Sequence, residues 1–202
     1  MKIFLSVLLF TSITFADMFN DAIASYEKGN YQKAAELFTI AANNGDIDAQ
    51  YNLALMYDNA QGIKQDYQKA AKYYTLAADA GFVDAQYNLG LMYVYGQGIK
   101  QDYQKAVKYF TLATKQGYSS AQYSLALMYD KGQGVKQSFE KAAKYYTLAA
   151  NQGDISAQFN IADMYEKGQG VSKNYHKAKQ FYQKACDNGL KDACSRYKVL
   201  NK

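Results

Sequence analysis

Apolar positions along this chain recur at three- and four-residue steps. From Asp84 to Tyr93, at about 100° per residue, Ala85, Leu89, Met92 and Tyr93 fall on one side, with Asp84, Asn88 and Tyr95 on another. That spacing predicts an amphipathic helix. After Gly96-Gln97-Gly98, residues Tyr103, Ala106, Val107, Phe110 and Ala113 repeat the spacing, with Lys105, Lys108 and Lys115 turned away. A second helix follows from the same argument.

This helix pair is one copy among several. Ala85-Gln86 recurs at Ala49-Gln50, Ala121-Gln122 and Ala157-Gln158, a constant step of 36 residues (85 − 49, 121 − 85, 157 − 121), and Ala193 lies on the same grid. A fixed period of this size marks an array in which no unit buries its apolar face alone and stacked neighbours share a core. The grid also exposes the cap chemistry. Asn30, Asp66, Asp102, Ser138 and Asn174 precede the second helix, each with an oxygen able to accept from free N–H groups of the first turn. Gly45, Gly81, Gly117, Gly153 and Gly189 follow it, where a helix ends in a left-handed residue. Gly90, Ala54, Ala126 and Ala162 keep one position small, as close approach of the partner helix requires. Ala60 stands where the other copies have Gly96, Gly132 and Gly168. If those glycines hold a positive φ, Ala60 is strained by about 1 kcal/mol, or its loop takes another shape.

The pattern A-Q-Y-N-L-G-L-M-Y, then G-Q-G-I, D-Y-Q-K-A, Y-[YF]-T-L-A and a closing Gly resembles the Sel1-like repeat, a variant of the tetratricopeptide helix pair. The resemblance implies an all-α fold, a right-handed α-solenoid of stacked antiparallel helix pairs, and service as a protein-binding scaffold. The expected organisation is a signal peptide over 1–16, a shortened helix pair over 17–48, and four repeats over 49–84, 85–120, 121–156 and 157–192. A capping helix over 193–202 completes it.

Composition narrows the picture. The 202 residues are 49% hydrophobic and 20% charged with a formal charge of +5, too mild and too poor in arginine for a nucleic-acid partner. Met1 to Ala16 has Lys2, an apolar run from Ile3 to Phe10, and small residues Thr14 and Ala16 before a cut after Ala16. It reads as a secretory leader, too short for a stable membrane anchor. A periplasmic or secreted bacterial protein is expected, acting as a monomer without a cofactor.

Cys186 and Cys194 flank a helix-turn-helix corner. In an exported chain such a pair predicts a disulfide, stabilising the last corner by about 2.5 kcal/mol in the chain-entropy model. The spacing also resembles the cysteine-rich Sel1-like proteins of Helicobacter, which implies weak penicillin binding or β-lactamase activity as an alternative function. Ser-x-x-Lys occurs at Ser25/Lys28, Ser138/Lys141 and Ser195/Lys198, without the accompanying S-D-N or K-T-G. No catalytic residue is therefore assigned. His176, the sole histidine, falls on an exposed first turn, so no metal site is expected, and Asp58, Asp130 and Glu166 read as a solvated face. By resemblance to tetratricopeptide stacks, one side of the first helices lines a concave groove for a peptide or protein loop. The candidates there are Tyr51, Asn52, Leu55, Tyr87, Asn88, Leu91, Tyr95, Tyr123, Leu127 and Asn160. The aromatic members serve equally as packing between repeats.

Overall fold

A computed structural model describes residues 15–201. The leader expected over 1–16 lies outside the described residues except for its last two, which open the first helix. The described residues form α1 (Phe15–Glu27), α2 (Tyr31–Asn43), α3 (Ile47–Asn59), α4 (Tyr67–Asp79), α5 (Val83–Tyr95) and α6 (Tyr103–Lys115). They continue with α7 (Ser119–Lys131), α8 (Phe139–Asn151), α9 (Ile155–Lys167), α10 (Tyr175–Asp187) and α11 (Lys191–Val199). No strand occurs among the described residues.

The second helix of each pair, α2, α4, α6, α8 and α10, is 13 residues long in every copy because both of its ends are fixed alike. Asn30, Asp66, Asp102, Ser138 and Asn174 each accept from the backbone N–H three residues on, at Lys33, Lys69, Lys105, Lys141 and Lys177. At the other end the five grid glycines hold φ between 86° and 101°. Their free Cβ directions meet nothing within 4 Å, so backbone conformation alone requires glycine there.

The chain divides into two compact units, 1–73 and 74–202. In the first, α1 packs on α2 and α2 on α3, around Ala34, Phe38, Ala41, Leu53 and Ala54. In the second, consecutive helices from α5 to α11 pack pairwise, burying Leu89, Phe110, Leu125, Tyr146, Ile161 and Tyr182 completely. Dense small residues on one helix and a large ring on the next let the pairs close tightly.

The long loops are built, not slack. The N-cap residue itself returns a backbone bond to the first helix: Asp66 N–H donates to Tyr57 O, Asp102 to Tyr93 O, Ser138 to Tyr129 O and Asn174 to Tyr165 O. Gln65, Gln101 and Gln137 Nε2 donate to the carbonyls of Asp58, Val94 and Asp130. In three of the long loops a second glycine presses against the preceding copy. A Cβ on Gly134 would lie 2.4 Å from the Tyr103 carbonyl, and one on Gly170 would lie 2.2 Å from that of Phe139. In the first unit, Gly62 meets Tyr31 in the same way at 2.4 Å.

Each full copy also carries parallel rings bracketed by lysines. In the first unit Tyr57 and Tyr73 stack at 6.1 Å with planes 2° apart, under Lys69 and Lys72. In the second, Tyr93/Tyr109 and Tyr129/Tyr145 repeat this under Lys105, Lys108, Lys141 and Lys144. Tyr165/Phe181 completes the series under Lys177 and Lys184. Lysine stems thereby cover aromatic faces while the ammonium groups stay in water.

Candidate functional site

Between the C-terminal halves of α5 and α7 a cavity of about 370 Å³ opens to solvent. Leu91, Val94 and Tyr95 line it from α5, Leu127 and Lys131 from α7, and Phe110 closes its floor from α6. Gln101, from the α5–α6 loop, adds an amide held by its bond to Val94 O. Helical spacing explains the convergence, because Leu91 and Tyr95 are one turn apart, as are Leu127 and Lys131. Tyr95 is 68% exposed, the most exposed of the large apolar side chains among the described residues.

Three of the ten groove candidates, Leu91, Tyr95 and Leu127, are thus brought together. Tyr87 instead packs its ring 5.8 Å from Phe110 and 5.2 Å from Tyr118. Tyr123 lies 5.8 Å from Tyr146, and Phe159 takes the same position against Tyr182. Burial raises the pKa of Tyr87 and Tyr123, as expected of phenols taken out of water. Asn160 stands beside the Tyr123 and Tyr146 hydroxyls and partly offsets the effect of burial on them. Asn88 is half-buried on α5. In the first unit, Tyr51, Asn52 and Leu55 are half-buried on α3, and Asn52 Nδ2 donates back to Asp48 O.

The residues that sequence reasoning passed over are the buried glutamines. Gln50, Gln86, Gln122 and Gln158 are at most 7% exposed. Gln50, Gln86 and Gln158 Nε2 donate to Ala42, Ala78 and Ala150 O across the corner between helix pairs. In the second unit their oxygens accept from residues just past the second helix of the same copy: Gln116 Nε2 donates to Gln86 Oε1, and Gln152 to Gln122. The same two amides also reach Gly81 O and Gly117 O. Invariance of Gln on the grid was the available signal, since a buried amide must be paired. The last corner replaces this device. Cys186 and Cys194 occupy the Ala150 and Gln158 grid positions and form a disulfide with Cα atoms 4.6 Å apart.

The carboxylates read as a solvated face are used otherwise. Glu166 accepts from Tyr182 Oη at 2.8 Å and Asp130 from Tyr146 at 3.5 Å, so their repeat position serves a tyrosine hydroxyl on the partner helix. Burial, then the neighbouring Glu166, pushes the Tyr182 pKa far up. Ser138 is an N-cap, while Ser25 and Ser195 Oγ donate to the Asp21 and Lys191 carbonyls. His176 is exposed beside Gln180. Among the described residues no three His, Cys, Asp or Glu side chains converge, and no helix is long and apolar enough to cross a membrane.

Comparison with known proteins bears on the fold. A protective antigen of uropathogenic Escherichia coli, c5321, displaying an SLR fold, is 34% identical with a TM-score of 0.86 over 91% of this chain. The chain spans 40% of that antigen's length. A Sel1 repeat protein from Oxalobacter formigenes is 30% identical with a TM-score of 0.81, covering 94% of this chain and 77% of its own. Cysteine rich protein B of Helicobacter pylori is 29% identical with a TM-score of 0.52, covering 65% of this chain and 94% of its own. No curated protein matches. The Sel1 repeat pattern matches residues 18–46, 47–82, 83–118, 119–154 and 155–190. The chain therefore belongs to the Sel1 repeat family, right-handed α-solenoids of stacked helix pairs that generally act as protein–protein interaction scaffolds.

Proposed function

We propose that this protein is an exported, monomeric scaffold that holds an extended peptide or protein loop against the first helices of its repeats. The observation that carries the reading is Tyr95, 68% exposed at the mouth of the cavity it forms with Leu91 and Leu127. An aromatic ring left in water beside apolar neighbours is the kind of group that anchors a partner, because its area is recovered only on binding. The Cys186–Cys194 disulfide supports export, since such bonds persist in oxidising compartments.

The test is capture of a partner from the native periplasm by the purified protein, identified by mass spectrometry. Asn88→Ala, with Asn52→Ala at the same position of the first unit, should weaken capture and leave the melting temperature nearly unchanged. A large drop in melting temperature would make the amides structural instead. Nitrocefin turnover by the purified protein, abolished by Ser25→Ala, Ser138→Ala or Ser195→Ala, would replace the scaffold reading with a hydrolase.

A further inference from the structure

Because the chain is built from copies, each repeat is a control for the others, and one departs from the rest at positions that converge in space. Val94 stands where the other full copies have Asp58, Asp130 and Glu166, and Phe110 stands where they have Tyr74, Tyr146 and Tyr182. In the following copies that pair is a hydroxyl on a carboxylate, Tyr146 to Asp130 and Tyr182 to Glu166. Both halves are exchanged for apolar groups in the same copy, and both new side chains line the cavity between α5 and α7. Replacing donor and acceptor together leaves no unmet polar group, so the fold tolerates the change while the floor turns apolar.

Two further departures fall at the same place. Gly90 replaces Ala54, Ala126 and Ala162, and a Cβ there would lie 2.6 Å from the Phe110 ring. The glycine therefore sets how closely the floor ring approaches α5. Tyr95 replaces Asn59, Lys131 and Lys167 at the rim. The opposite rim carries Lys131. One copy further on, the equivalents of Leu127 and Lys131 are Asp163 and Lys167, which pair at 2.7 Å. Leu127 offers no charge, and among the described residues Lys131 has no ion-pair partner.

We propose that this cavity is an anchor pocket specific to one repeat: it takes a large apolar side chain from an extended segment of a partner protein, with an adjacent carboxylate meeting Lys131. The proposal rests on the scaffold reading and narrows it to a site and a partner chemistry. A volume of about 370 Å³ suits one or two apolar side chains and lies at the small end of ligand pockets.

The probe is a blocked hexapeptide, acetyl-Ser-Gly-Phe-Asp-Gly-Ser-amide, titrated into ¹⁵N-labelled protein and followed by NMR. Saturable shifts are expected at the Tyr95, Leu127 and Lys131 amides. Affinity should fall about tenfold or more when the peptide's Phe becomes Ala. It should fall about threefold when its Asp becomes Asn. Val94→Asp with Phe110→Tyr installs the pair already carried at Asp130 and Tyr146, and should unfold at the same temperature while binding at least about tenfold more weakly. Tyr95→Lys, an exposed change to the residue type found at Lys131 and Lys167, provides a second variant whose fold is not at risk and should also weaken binding. Equal affinity of wild type and either variant would overturn the proposal, as would the absence of saturable shifts. Shifts confined to Asn88 and Asn160 would overturn it and leave the scaffold reading standing. Concentration-dependent shifts at the cavity without peptide, lost in the double variant, would assign it to a second copy of the chain and overturn it as well.

Discussion

Ala60 is the only non-glycine residue with positive φ among the described residues, at 56° with ψ 34°. Its counterparts Gly96, Gly132 and Gly168 share that conformation, so the loop keeps its shape and the alanine carries the strain. A left-handed alanine costs about 1–2 kcal/mol, of which glycine would give back part through the greater freedom of its unfolded chain. Ala60→Gly should therefore stabilise the protein by about 0.5–1 kcal/mol in urea denaturation. The grid made this position legible, because a break in a periodic glycine needs no structure to be seen. It did not separate the two kinds of glycine in the array. Gly153→Ala meets only backbone strain and should cost about 1 kcal/mol. Gly170→Ala adds a 2.2 Å approach to the Phe139 carbonyl and should cost about 2–4 kcal/mol in the same measurement.

At the scale of helix pairs, one corner is solved in two chemical ways. Gln158 Nε2 bridges to Ala150 O, and one copy later Cys194 is bonded to Cys186 at the same two positions. Asn188 Nδ2 still reaches Gln158 Oε1, so the amide chain ends beside the helix, α10, that carries Cys186. Reducing the bond should cost about 2.5 kcal/mol in the chain-entropy model. Cys186→Ala with Cys194→Gln writes in the corner used elsewhere, and should recover about 1 kcal/mol of that loss relative to Cys186→Ala with Cys194→Ala. Thermal unfolding of the two double variants under reducing conditions makes the comparison. The disulfide is legible in an even pair of cysteines. The role of the glutamines is not, because a recurring Ala-Gln marks the period without revealing that its amide bonds cross a corner between copies.

For the molecule as a whole, tyrosine dominates the response to alkali. Burial, then the charge of Asp79 beside it, raises the Tyr109 pKa to about 12. Tyr146 and Tyr182 are raised further in the same direction, by burial first and by Asp130 and Glu166 next. A folded pKa above the unfolded value means that the fold holds the proton more tightly than the open chain does. That stability is complete below the free tyrosine pKa of about 10 and is lost as pH climbs through the folded values. Stability should thus be flat to about pH 9 and fall above it, and Tyr182→Phe should make the decline shallower. Denaturant midpoints between about pH 7 and 11.5 check both outcomes.

Period, helix pairs, caps, turn glycines and the disulfide were all decided by the amino-acid sequence. Each is a local demand of the backbone, or a repeated burial pattern, that a neighbour satisfies in the same way every time. Which side chains meet across copies was decided by tertiary packing. Tyr87 and Tyr123 are groove candidates at one grid position yet pack on Phe110 and Tyr146, whereas the candidates Leu91, Tyr95 and Leu127 converge on one open cavity. A periodic pattern assigns every copy the same face; Val94 and Phe110 break it visibly in the sequence, but only the packing of α5, α6 and α7 brings both to one open cavity.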